Sequence, residues 1–409
     1  MEDINFDYSS EHFSQIISDM EGKREDRIKA LDELALILIY ASEDLLSNLP
    51  LGDLSKHLVA ILGESNEDCI LRLCSNCILN FLQVHSSSTR HLFNAGLLDI
   101  YRALFTKGME SDILQTFLSI IEVSSEYRPG DISSVFTLGE FLDLYVKSEP
   151  RIQNTLSSLM VNLSKAFSNR STLPLEKFIP AIACTQRKFA ERLIKCFIVI
   201  VTNVDITRLI PDGIQPMLEI IPSIINSKDA VTILSILIKI SKDVNGVQKI
   251  LDLPSSFINV MDSHEEDESF SVVRTKLLEI ISYILPYDED KAHPAFFKTE
   301  TIEYPTTQQF VQQIAPHIFN DFVANNHKSI FSFISLSLIS KYVHIPYSNE
   351  LVDAIGLSVN EPKYIAPIIP ALLSIVPIHY ELFVFPTTAI ENEDLRQWVV
   401  NLIRKEFSN

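Results

Sequence analysis

With 409 residues, 46% of them hydrophobic, the chain can bury a large core, and its 10 glycines are too few for folds built on many tight β turns. Its 34 basic against 53 acidic side chains leave a net charge of -19, which repels a phosphate backbone over most of the surface and sets nucleic acid aside as a direct partner. The 5 cysteines are odd in number and scattered, so they form no disulfide framework and suit a reducing compartment, cytosol or nucleus.

Residues 1–22 form an acidic leader with Glu2, Asp3 and Asp7 and without the basic and apolar regions of an export signal. Phe13, Ile16, Ile17 and Met20 are spaced for one helix that caps the first repeat. A helical phrase then restarts at Asp26, Asp68, Asp112, Arg151, Phe189 and Asp229, at intervals of 42, 44, 39, 38 and 40 residues. In the first phrase Ile28, Leu31, Leu34, Leu38 and Leu45 make one apolar stripe, and Leu54 to Leu62 supplies a second helix beyond Pro50. In the second, Asp68 to Val84 is the long helix, Ser86 to Thr89 a polar break, and Leu97, Leu98, Tyr101 and Leu104 mark the next helix. Ile113 to Val123 with Phe136 to Val146, Ile152 to Phe167 with Phe178 to Ala183, and Phe189 to Val204 with Met217 to Ile225 repeat the pattern. Val231 to Ile240 opens a sixth unit whose tail runs into the acidic stretch Asp262 to Glu268, read as a solvated loop.

A period near 40 marks stacked helical repeats, so the expected fold is all-α, an armadillo- or HEAT-like right-handed α-solenoid. The organisation expected is leader and cap at 1–22, armadillo-like repeats at 23–285, a linker at 286–305 and further helical repeats at 306–409. Tyr364 to Tyr380 carries no formal charge, but Pro367, Pro370 and Pro377 interrupt it, which predicts a buried, proline-broken helix pair and no membrane span. Trp398, the single tryptophan, is expected to pack in the closing helix.

Ser42 to Pro50, followed by His57 to Leu62, resembles the opening armadillo region of HECT-type ubiquitin ligases of the ubiquitin-fusion-degradation class, where an Asn-Glu-Asp-x-Leu-x-x-Phe-Pro turn precedes a Val-x-x-Leu-x-x-Leu-Leu helix. Agreement continues through Cys69 to Phe81 and Phe93 to Gly96, and Phe296 to Trp398 looks like that family's later helices. The resemblance implies a substrate-recognition solenoid with ubiquitin-pathway partners. It departs from the family where animal members carry a ligand-binding module, for which Pro286 to Pro305 leaves no room, and where a catalytic HECT lobe would follow Asn409. A recognition arm without its own transfer chemistry is the expectation; the alternative is a general armadillo scaffold unrelated to ubiquitin.

Cys69, Cys74 and Cys77 lack a fourth ligand at zinc spacing and read as structural thiols, His57, His85 and His91 are isolated, and no phosphate loop, HExxH or nucleophile elbow appears. No catalytic centre, cofactor or metal is therefore expected. Asn80, Asn162 and Asn203 fall late in three long helices, 12, 11 and 14 residues after Asp68, Arg151 and Phe189, with Glu122 at the matching place 10 residues after Asp112. Side-chain amides both donate and accept, so such a row can pair with the main chain of an extended peptide, and Glu122 would favour a basic one. The competing role for these amides is to tie neighbouring helices together.

Overall fold

The computed structural model describes residues 10–40, 50–84, 88–263, 268–297, 302–326, 329–345, 348–358, 364–374 and 390–407. Among them are helices and connecting turns, and no strand. Most of the Ser42 to Pro50 turn, His85, the acidic residues Glu265 to Asp267 and the Val376 to Tyr380 end of the proline-rich segment lie outside the described residues. The chain forms two compact units, Met1–Asn203 and Val204–Asn409.

In Met1–Asn203 the cap helix Ser10–Met20 buries Phe13, Ile16 and Met20 and packs on Arg24–Tyr40. The long helices Arg24–Tyr40, Asp68–Val84, Ser111–Ser125, Pro150–Ser168 and Arg187–Asn203 then stack side by side, each on the next. Between consecutive long helices run shorter ones: Leu51–Glu64; Ser88–Asn94 with Leu97–Lys107; Pro129–Val135 with Leu138–Lys147; and Phe178–Ala183. The result is two layers, with the apolar stripes of both facing inward.

Local chemistry sets these boundaries. Pro129, Pro150 and Pro254 sit at the first helical position, where the missing N–H costs nothing. Thr137 and Glu140 close a capping box on Leu138–Lys147, with the Thr137 N–H and hydroxyl both donating to Glu140 Oε2 at 2.9 Å. Gly96 turns the chain between Ser88–Asn94 and Leu97–Lys107 at φ 95°, a left-handed conformation that a side chain would strain. The sequence reading treats Ser86 to Thr89 as a break, yet Ser88 and Thr89 are buried residues of a helix. In the second and third intervals, where two shorter helices precede the long one, the repeat is a three-helix unit of short, medium and long members, the armadillo layout.

Val204–Asn409 continues this grammar with Lys228–Ile240, Glu268–Ile284, Ile330–Ile339 and Ile365–Ser374 stacked in series. Val244–Leu251 and Pro254–Met261 fill the interval that the sequence reading leaves without helices. Gly246 is required there, because a Cβ would lie 2.2 Å from the carbonyl oxygen of Ile240. The proline-rich stretch after Ile284 forms no helix in its described part. Pro370 lies inside Ile365–Ser374 and does not end it, so this part of the segment read as a broken pair is one helix. Trp398 lies in Glu393–Phe407, edge-on to His293 at 5.0 Å and against a core of Ala366, Ile369, Ile390, Leu395, Val399 and Leu402. No helix among the described residues is long and apolar enough to cross a membrane.

Candidate functional site

The register of the long helices in Met1–Asn203 follows from their buried positions. Cys74, Cys77, Ile78 and Phe81 on one helix match Phe117, Ile120, Ile121 and Ser124 on the next, then Leu156, Leu159, Met160 and Leu163, then Leu193, Cys196, Phe197 and Ile200, all fully buried. Hydrogen bonds agree with this alignment. The thiols of Cys77 and Cys196, at the same place in their repeats, donate to carbonyls of the preceding long helix, Leu31 at 3.1 Å and Met160 at 3.2 Å.

Three residues beyond that shared position stand Asn80, Val123, Asn162 and Val199. Asn80 and Asn162 are therefore equivalent, whereas Glu122 precedes the matching position by one residue and Asn203 follows it by one turn. Asn80 is half-buried and its amide donates to the Ala35 carbonyl at 3.5 Å; Asn162 is exposed and donates to the Ser125 hydroxyl at 3.1 Å. Both amides thus reach back to the preceding long helix. No donor is bonded to Oδ1 of either among the described residues, and the second amide hydrogen of each is also open. Asn203 bonds within its own helix, to the Val199 carbonyl at 2.7 Å, and is exposed. Glu122 is half-buried, with no side-chain partner among the described residues.

Two turns earlier the long helices are also linked by polar side chains, with Gln115 donating to Thr155 Oγ1 at 2.8 Å and Arg192 to Asn154 Oδ1 at 2.8 Å. Sequence reasoning misses Asn154 and Arg192 because neither repeats along the array. Their signal is the distance between adjacent helices, which one sequence does not display.

Cys74, Cys77 and Cys196 are fully buried. Burial pushes the Cys77 thiol up to about 12 and also raises those of Cys74 and Cys196, so each stays protonated and donates to a carbonyl. Cys74 and Cys77 point to carbonyls on different helices, Leu58 and Leu31, which separates them as ligands. Cys69 differs from the buried thiol expected of it, being exposed in the first turn of Asp68–Val84. His57 is tied on both ring nitrogens, to the Asp53 carbonyl at 2.7 Å and Glu21 at 2.8 Å, and His91 is exposed.

No family model matches the chain, and no curated protein does. Solved structures that it resembles include an engineered protein (TM-score 0.42, 11% identity, 97% of this chain and 99% of that one). A designed armadillo repeat protein gives a TM-score of 0.34 at 12% identity over 66% of this chain and 99% of that one. A chain from a study of a phosphorylation switch in the interaction between cadherin and beta-catenin gives 0.48 at 10% identity, covering 97% of this chain and 94% of the other. The class that the helices themselves define is an all-α armadillo-like repeat protein.

Proposed function

We propose that this chain is a non-catalytic protein-binding scaffold and that the outward face of the long helices in Met1–Asn203 holds an extended segment of its partner. The observation that carries this reading is the recurrence of Asn80 and Asn162 at one place in the repeat, each with an open carbonyl oxygen and an open amide hydrogen. Amides in such a row pair with a peptide main chain without demanding a particular sequence. Glu122, lying between them in the series, offers a carboxylate to a basic side chain, and Asn203 extends the row at its end. The buried thiols, held protonated, fit a chain that transfers nothing by itself.

The order of residues in Ser42 to Pro50, His57 to Leu62, Cys69 to Phe81 and Phe93 to Gly96 supports a finer role as the recognition arm of a ubiquitin-pathway assembly in cytosol or nucleus. A general scaffold is the alternative, and the identities of proteins that co-purify with the chain separate the two. For the face itself the test is Asn80→Ala with Asn162→Ala, measured on a co-purified partner. A net hydrogen bond contributes about 0.5–1.5 kcal/mol, so the double change should weaken binding by roughly ten- to a hundredfold. The melting temperature should stay within a degree or two, as surface changes of this kind cost about 0.5 kcal/mol or less. Wild-type affinity in the double variant refutes the face; loss of folding instead assigns the two amides to holding the repeats together.

A further inference from the structure

Charge is distributed unevenly over the long helices. Asp68–Val84 carries one acidic and one basic residue, and Ser111–Ser125 carries only Asp112 and Glu122. Pro150–Ser168 and Arg187–Asn203 instead hold Arg151, Lys165, Arg187, Lys188, Arg192 and Lys195 against the single carboxylate Glu191, in a chain whose net charge is -19. Five of these cations are exposed and Arg192 is half-buried.

Geometry gathers four of them. Arg192 Nη1 donates to Asn154 Oδ1 at 2.8 Å and to the Asn154 carbonyl at 3.3 Å, which fixes the two helices side by side at that level. Lys188 lies four residues before Arg192 and Lys195 three after, while Arg151 lies three before Asn154; residues at these spacings are neighbours on a helix surface. The partners of Arg192 are neutral oxygens, so its charge is held in place and left uncompensated by any carboxylate. Glu191 is loosely paired to Arg187 at 3.6 Å, with both side chains largely in solvent. Arg151, Lys188 and Lys195 have no ion-pair partner among the described residues.

We propose that this cluster of Arg151, Lys188, Arg192 and Lys195 docks an acidic stretch of the partner protein. The inference rests on the long-helix face being the binding face, and it names the chemistry at one end of it. A short acidic segment needs only these cations. A nucleic acid or an anionic membrane would extend beyond them, onto a surface with an excess of carboxylates. With Glu122 two helices earlier, the face is polarised, and a bound segment carrying basic residues near Glu122 and acidic residues near Lys188 has its direction set.

The test is fluorescence anisotropy with a labelled peptide of alternating Glu and Ser, beside a Lys–Ser peptide, an oligouridylate and phosphatidylserine vesicles. Lys188→Glu with Lys195→Glu changes two exposed side chains and should leave the helical signal intact. It should weaken the Glu–Ser peptide by about tenfold or more, and raising salt from about 50 to about 500 mM should do the same to the wild type. No binding of that peptide by the wild type, or equal binding by the charge-reversed variant, overturns the proposal. So does a preference for oligouridylate or vesicles that the same variant abolishes. Binding of the Lys–Ser peptide alone, weakened by Asn80→Ala with Asn162→Ala, would keep the long-helix face and reject its acidic ligand; if neither peptide responds to either double variant, both ideas fail.

Discussion

In Met1–Asn203 an aromatic series passes from repeat to repeat: Tyr101 to Phe117 at 4.7 Å, Phe117 to Phe136 at 5.6 Å, Phe136 to Phe141 at 5.8 Å and Phe141 to Phe167 at 6.2 Å. In Val204–Asn409 the non-helical stretch after Ile284 interrupts the array, and Glu268–Ile284 and Thr307–Asp321 are joined by the ion pair of Arg274 with Asp321, 2.6 Å apart and at 9% and 8% exposure. Apolar contacts that recur in every repeat tolerate local change, because each unit touches only its neighbours. A buried ion pair does not, since removing one partner unbalances a charge that is held largely away from water. The first unit is therefore suited to carry a varied outer face on a uniform interior, while the second concentrates its sensitivity at one point.

The largest expected effect lies in the second unit. Asp321→Ala should cost about 3–5 kcal/mol, read as faster hydrogen exchange in Glu268–Ile284, and Arg274→Met with Asp321→Leu should restore most of it. A single-variant loss below about 1 kcal/mol would mean that the pair behaves as a surface bridge.

A smaller effect is expected in the first unit, where Thr137→Ala removes the capping box and should cost about 1 kcal/mol in denaturant unfolding. Burial raises the Glu140 carboxyl, but hydrogen bonds from the Thr137 backbone and hydroxyl and from Arg102 outweigh it, and the group lies below its ordinary value. A depressed carboxylate contributes stability above its unfolded pKa and loses it as pH falls through the folded one. The gap between wild type and Thr137→Ala should accordingly narrow below about pH 4. A gap that widens in acid would place the stabilisation elsewhere.

Much of this architecture is legible in the sequence because long amphipathic helices display their period. Asp68–Val84 coincides with the helix read from its leucine and cysteine stripe. Ser88–Asn94 is not legible, since its seven residues are too few to show a period and its buried side chains include the hydroxyls of Ser88 and Thr89. Pro370 misleads for a different reason: a proline removes only one helical N–H donation, to the carbonyl four residues back, and the packing of Ile365–Ser374 on Ile330–Ile339 holds the helix through it. The candidate face is half legible. Asn80 and Asn162 are found by counting from the start of each phrase, but helix starts drift while the buried contacts hold the register. Counting therefore lands on Asn203 where the stack places Val199. The basic cluster escapes because its members become neighbours only once Asn154 and Arg192 meet.

The claim at the centre of this account is that the partner lies on the long helices and not on the short ones. Site-specific photo-crosslinking decides it, with a photoreactive residue placed at Val123 or Val161 on the long helices and at Ser134 or Val146 on the short ones. The account predicts adducts with the co-purified partner from Val123 and Val161 and none from Ser134 or Val146. Adducts confined to Ser134 and Val146 would contradict it.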